Sequence, residues 1–170
     1  MNVIETERLI LRHLRVEDAE DLHRIYSDAE TMKFMGQGTA SVEEARGNIQ
    51  KHIEKYYNHY GFGLWATVLK ESNRLIGRCG LLYQDIEGTK DLELAYLLDS
   101  NFWGTGLATE AAQAIIKIGF EKYDFTRIIA VINPQNTASI RVAKKVGMNY
   151  EKEIAHFKDF GAVSLYALNS

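Results

Sequence analysis

Apolar and polar positions change period several times along the chain, and each change marks an element. In "RLILRHL" (8–14), Leu9 and Leu11 alternate with Arg8 and Arg12, and Ile10 alone breaks the alternation; this predicts a strand. "VEDAEDLHRIYSD" (16–28) switches to helical spacing through Ala19, Leu22, Ile25 and Tyr26, with acids in its first turn. After the loop "GQGTAS", Ser41 stands three residues before Glu44, a capping-box pattern. It opens a helix over 42–57 through Val42, Ala45, Ile49, Ile53 and Tyr56. Strand patterns follow at 64–70, 75–84 and 91–99, joined by "ESNR" and "DIEGTK". A helix over 106–123 buries Leu107, Ala111, Ala114, Ile115 and Ile118. "RIIAVI" (127–132) is apolar almost throughout and reads as a central strand. "NPQN" breaks it. A short helix over 137–146 then carries Lys144 and Lys145 in its last turn and stops at Gly147. Two closing strands, 148–158 and 162–169, flank the turn "DFG".

The order is strand, two helices, three antiparallel strands, helix, strand, helix, two strands. Hairpins mixed with strand–helix–strand crossovers predict an α+β fold on a mixed, mostly antiparallel sheet. With no repeat and no linker, 1–170 is expected to be a single domain.

Composition narrows the function classes. A net charge of −3 argues against a non-specific nucleic-acid binder, and the mild acidity is compatible with a cationic partner. The single cysteine, Cys79, rules out an internal disulfide framework. It lies mid-strand and reads as an inert thiol. His13, His23, His52, His59 and His156 show no metal-ligand spacing, so no metal is expected. No apolar h-region opens the chain and no stretch is long enough to span a bilayer, so the expected setting is cytoplasmic, away from membranes.

The candidate chemistry lies in "LLDSNFWGTGLATEAAQAII" (97–116), where Gly104 and Gly106 separate a strand from a helix. A helix start has unpaired N–H groups and a partial positive charge, and preceding glycines let an anion approach the backbone. A tight turn is the plainer reading. The dinucleotide fingerprint fails because Thr109 stands where a third glycine is required, and the P-loop Gly-Lys-Ser/Thr is absent. A second strand–helix junction, "VINPQNTASIRVAKKVGM", follows about thirty residues later, with Asn136 and Ser139 opening its helix. If strands 91–99 and 127–132 lie side by side and splay, their ends form a cleft for an elongated, phosphate-bearing ligand.

These segments, with "ERLILRHLRVEDAEDL" and "LWATVLKESNRLIG", resemble the GCN5-related N-acetyltransferase (GNAT) superfamily, and within it the RimJ/RimL ribosomal-protein N-terminal acetyltransferases. The resemblance implies helices on both faces of the sheet, a splayed central strand pair, and acetyl-coenzyme A as donor. It maps the family's pyrophosphate loop, Gln/Arg-x-x-Gly-x-Gly/Ala, onto Trp103, Gly104, Thr105, Gly106, Leu107 and Ala108. Thr109 is expected to add a hydroxyl. Backbone around Leu97 and Leu98 is expected to pair with the pantetheine arm, and Asn136 to reach the pantetheine or thioester. Trp103 departs from the usual Gln or Arg, which a loop acting through its backbone tolerates.

The implied reaction is direct attack of an amine, from a protein N-terminus or a small molecule, on the thioester. The tyrosine that many relatives use as the acid is replaced by Ala143. Ser139, one turn earlier, is the substitute, and Glu93 is the candidate base; its plainer reading is a solvated strand residue. Asn136 has the alternative role of N-cap. Arg141, Lys144 or Lys145 are further candidates for a nucleotide phosphate. Tyr57, Tyr60 or Phe62 are candidates to line the acceptor site. Family analogy alone suggests a homodimer. The absent tyrosine leaves a second class open, a non-catalytic acyl-CoA-binding module or sensor.

Overall fold

The computed structural model describes residues 2–170. The chain enters as a short strand, β1 (Asn2–Glu5), followed by β2 (Leu9–His13). A 3₁₀ turn leads into α1 (Ala19–Tyr26), which buries Ala19, Leu22 and Ile25 on one face. Next is α2 (Val42–His52), capped by the Ser41 hydroxyl accepting from the Glu44 amide. Then come β3 (Leu64–Leu69), β4 (Arg74–Ile86), β5 (Thr89–Leu98), α3 (Leu107–Glu121), β6 (Arg127–Ile132), α4 (Thr137–Lys145), β7 (Asn149–Ile154) and β8 (Val163–Asn169). The strands form one sheet in the order β1-β2-β3-β4-β5-β6-β8-β7.

Every neighbouring pair is antiparallel except β5 and β6. That parallel pair has a single registered rung, Glu93↔Ile129. By contrast, β4 and β5 stay in register from Gly77↔Leu98 to Ile86↔Thr89. Beyond the one rung the edges of β5 and β6 run on without pairing, as the expected splay requires. Unpaired strand edges present N–H and C=O groups that need a partner.

The two faces of the sheet carry different helices. Directly opposed residues of an antiparallel pair share a face, so Tyr96 goes with Cys79 and Leu94 with Leu81. α3 covers this side: a Cβ on its Gly119 would lie 3.0 Å from Ile128 Cδ1 and 3.5 Å from Leu81 Cδ1. The opposite side carries Arg78, Glu93 and Leu64 and is covered by α1 and α2. Farther along it, Ile86, Ile129, Ile154, Phe157, Val163, Leu165 and Ala167 form a second, smaller apolar cluster.

Four expectations change in detail. The sequence pattern missed β1, which at four residues is too short to show a period. The six-residue connection "DIEGTK" shrinks to a tight turn with Glu87 and Gly88 at φ 52° and 87°, so β4 and β5 are longer than expected. That positive-φ pair matches the twist of a hairpin, and Asp85 Oδ1 accepts from the Gly88 amide at 2.8 Å. The helix expected over 42–57 leaves α geometry at His52 and continues as a π-helical turn (Ile53–Tyr57). The strand expected over 148–158 ends at Ile154, because the Phe157 amide closes a loop onto Gly161 O at 2.9 Å.

Candidate active site

The loop after β5 is built by a few firm contacts. Asp99 is buried, 3% exposed. Its carboxylate accepts from the Asn101 amide at 3.0 Å and side chain at 2.9 Å, and from Arg24 at 3.1 Å. The Trp103 indole N–H donates to Leu98 O at 2.9 Å, and the Thr105 hydroxyl donates to Phe102 O at 2.8 Å. These bonds hold the turn so that Gly104 and Gly106 sit at φ 76° and 82°, the left-handed region that glycine alone enters freely.

Gly106 is the N-cap of α3, and no side chain caps that helix. The first amides of α3, those of Leu107, Ala108 and Thr109, therefore lack both intrahelical and side-chain partners. A Cβ on Gly104 would meet nothing within 4 Å. An uncapped helix start behind an open glycine turn is a cradle for an anion, which fits the pyrophosphate of coenzyme A. Leu107 is buried and anchors the helix, whereas Ala108 and Thr109 are half-buried.

The cradle is pinned from β2's side by Arg8, which the sequence pattern assigns only to a strand. Arg8 donates through Nη1 to Thr105 O at 2.9 Å and through Nε to Glu110 Oε2 at 2.7 Å. Glu110 Oε1 also accepts from the Arg8 amide at 2.8 Å and the Thr6 hydroxyl at 2.6 Å. Burial alone would raise the Glu110 pKa; the bonds from Thr6 and Arg8 outweigh it and hold the carboxyl below its ordinary range. The available signal was the pair Arg8 and Glu110, each beside a turn. Nothing in the linear sequence says that positions about a hundred residues apart meet.

The second junction also assembles. Asn136 caps α4, its side-chain oxygen accepting from the Ser139 amide at 3.2 Å. From β5, the Tyr96 hydroxyl donates to Ser139 O at 2.8 Å, crossing the gap that the splay opens. Burial raises the Tyr96 pKa. Ser139 is half-buried, and Ala143 lies fully buried one turn on.

Glu93 sits on the other side of the sheet, at the single rung where β5 and β6 still pair. Its Oε2 is sealed from solvent and has no hydrogen-bond partner. Burial pushes its pKa up from 4.5 to about 7, although Gln84, Lys158 and Arg78 pull the other way. The solvated-strand reading therefore fails for this carboxyl. Cys79 is fully buried and its thiol is pushed up to about 11, as expected of an inert cysteine.

On the face with Glu93, a cavity of about 400 Å³ lies between α1, α2 and the sheet. Tyr26, His52, Arg78, Met32, Met35 and Ile49 are among the residues lining it. Tyr57, Tyr60 and Phe62 do not line it. The Tyr57 hydroxyl accepts from the Leu14 amide at 2.9 Å and donates to Leu64 O. Tyr60 and Phe62 pack with Tyr83, and Phe62 with Tyr123 and Phe125. The aromatic run "YYNHYGFG" thus serves mainly packing, because its rings find one another. Among the described residues, no cluster of three or more His, Cys, Asp or Glu could hold a metal, and no helix is long and apolar enough to cross a membrane.

Comparison with known proteins agrees with this geometry. The model of the acetyltransferase (GNAT) domain matches residues 8–149. The chain is 35% identical over 158 residues to the uncharacterized N-acetyltransferase p20 of Bacillus licheniformis, covering 90% of this chain and 84% of that protein. It superposes on a GNAT-family acetyltransferase from Bacillus anthracis with a TM-score of 0.78 and 30% identity, over 98% of this chain and 97% of the other. It shares its fold with RimL, the ribosomal L7/L12 α-N-protein acetyltransferase solved with coenzyme A, with a TM-score of 0.78 at 20% identity over 99% and 98% of the two chains. A glycine cradle, a one-rung central splay and a family match over most of the chain point the same way: this protein belongs to the GNAT family of N-acetyltransferases.

Proposed function

We propose that the chain transfers an acetyl group from acetyl-coenzyme A directly to a primary amine, with Glu93 as general base. The observation that carries this reading is the Glu93 carboxyl. The residue is half-buried, its Oε2 is sealed without a partner, and its pKa is pushed up to about 7 beside the rung where the sheet opens. An acceptor amine arrives largely protonated at neutral pH and must lose that proton before it attacks. A carboxylate with pKa near the operating pH suits the task. A module that only bound acyl-CoA would have no use for a carboxyl with one sealed, unpartnered oxygen there, so the enzyme reading is favoured over the sensor.

The remaining roles follow from position. The free amides of Leu107, Ala108 and Thr109, behind Gly104 and Gly106, hold the pyrophosphate; the Thr109 hydroxyl stands at the same helix start. Leu98 O is occupied by Trp103 and the Leu97 backbone faces Arg78 across the β4–β5 ladder, which leaves the Leu98 amide and the Asn136 side-chain N–H₂ to align the pantetheine arm. Glu93 takes the ammonium proton before attack; attack then forms the N–C bond and breaks the C–S bond, and the second proton lost by nitrogen balances the one the thiolate gains. The departing thiolate takes a proton on the other side of the sheet, where Ser139 and Tyr96 meet. Base and acid thus lie on opposite faces, joined through the splay. Thiol release from acetyl-coenzyme A across a panel of N-terminal peptides, amino acids and polyamines tests the reading. At least one amine is expected to be turned over, and no turnover of any, with coenzyme A bound, would leave the sensor.

A further inference from the structure

Among the described residues Arg78 forms no salt bridge; Glu93 acts on it only at longer range. The arginine Nε donates to the Tyr26 hydroxyl at 2.6 Å, and its guanidinium lies 5.6 Å from the Tyr26 ring centroid. Among the described residues no carboxylate pairs with it and its terminal nitrogens make no hydrogen bond. A guanidinium taken out of bulk water ordinarily has a carboxylate or phosphate partner. Arg78 instead lines the 400 Å³ cavity under α1 and α2, and it is the one Arg or Lys among the lining residues.

The rest of the lining defines what fits. Leu14, Leu22, Met32, Met35, Ile49 and Leu64 give the wall apolar stretches, and Gln37, Thr39 and Asn48 add neutral polar groups between them. His52 is neutral at physiological pH: burial pushes its pKa down to about 4, and its Nε2 accepts from the Leu64 amide at 2.9 Å. The one acid, Glu44, is spent at the rim accepting from the Ala40 amide at 2.6 Å. The cavity therefore offers one fixed positive charge, with no ion pair of its own, among neutral polar and apolar groups. That arrangement repels a polyamine and attracts a small anion-bearing molecule.

The position of Arg78 ties the cavity to the reaction. Arg78 is registered opposite Leu97 on β5, one strand spacing from the edge assigned above to the donor's arm. Glu93 lies on the same face, four residues along β5, which is roughly 13 Å of strand at ~3.3 Å per residue. Glu93 is not itself among the lining residues, so the acceptor must extend from the cavity along β5 to bring its amine to it.

We propose that Arg78 binds the carboxylate of the acceptor, and that the acceptor class is an amino acid or short peptide with a free carboxylate. The guanidinium fork matches a carboxylate in two-point geometry. This inference rests on the acetyl-transfer reading for its reaction but not for its binding.

The test uses amino acids and dipeptides, each paired with its own carboxamide, on wild-type protein and on Arg78→Gln and Arg78→Lys. Binding to the protein saturated with coenzyme A is measured by calorimetry, and turnover by thiol release. The free acids are expected to bind at least ~10-fold tighter than their amides, on the scale of hydrogen bonds to charged groups. Arg78→Gln should erase that difference by weakening the acids alone. Arg78→Lys should keep part of it, and coenzyme A affinity should stay unchanged throughout. Should Arg78→Gln not fold, the acid–amide comparison on wild type decides. Equal binding of acids and amides, or tighter binding of polyamines, overturns the proposal even if amines are turned over. Acid-selective binding without turnover sustains it while removing the acetyl-transfer reading.

Discussion

If Glu93 is the base proposed above, it couples catalysis to stability in one side chain. Below its ordinary pKa of 4.5 both folded and unfolded chains hold the proton. Between 4.5 and about 7 only the folded chain holds it, so stability falls as pH rises through this window; above about 7 the loss is complete. At about 1.4 kcal/mol per pKa unit the full penalty is on the order of 3 kcal/mol. Glu93→Gln should therefore raise the chemical-denaturation midpoint at pH 8 and leave it nearly unchanged at pH 4. The same substitution should lower kcat/KM by ~10²-fold or more and remove the limb that rises through pH 7. A variant that keeps both the limb and the rate would return Glu93 to a structural role. Ser139 is the partner case. Ser139→Ala should reduce kcat at most ~10²-fold with coenzyme A affinity intact, because Tyr96 and water remain near the thiolate. A loss of affinity with kcat unchanged would make Ser139 a binding residue only.

At the scale of elements, the proposed cofactor cradle is a joint between two segments far apart in sequence. The glycines set the backbone path, and the Arg8–Glu110 pair ties α3's first turn to the entry of β2. A valine at position 106 cannot hold φ 82° without strain of about 1–3 kcal/mol, and its branches would crowd Arg8 Nη2, 3.5 Å from the added Cβ. Gly106→Val should weaken coenzyme A binding at least ~10-fold in calorimetry while circular dichroism shows a folded chain. Dephosphorylated pantetheine should lose little, since it never uses the cradle. Undiminished coenzyme A affinity in a folded Gly106→Val would remove the pyrophosphate from this loop. The splay is the complementary element: β6 pairs along its length with β8 but at one rung with β5, and so leaves β5 an open edge.

For the whole molecule, a ligand lying in the splay bridges the two halves of the sheet, β1–β5 on one side and β6, β8 and β7 on the other. Coenzyme A binds only the folded chain, so at a hundred times Kd it should add about 2.7 kcal/mol and raise the thermal midpoint by several degrees. A midpoint indifferent to coenzyme A would contradict the cradle as a binding site. Much of this architecture is already determined by the sequence. Period-two and period-3.6 patterns, with one continuous apolar run for β6, mark β2 through β8 and the helices, and the Gly104 and Gly106 spacing marks the proposed cradle, because these signals act between residues close in the chain. The limits of elements are less legible, as the two-residue turn at Glu87–Gly88 and the loop closing at Phe157 show; they depend on turn geometry that polarity does not encode. Only the tertiary structure decides what depends on burial and on meetings at long range. It seals Glu93 Oε2, sets Arg8 against Glu110, sends Tyr60 and Phe62 into an aromatic cluster, and leaves Arg78 facing a cavity without a salt bridge. A residue's type fixes what it can donate, accept or carry, but the fold alone fixes how much water and which partners it has.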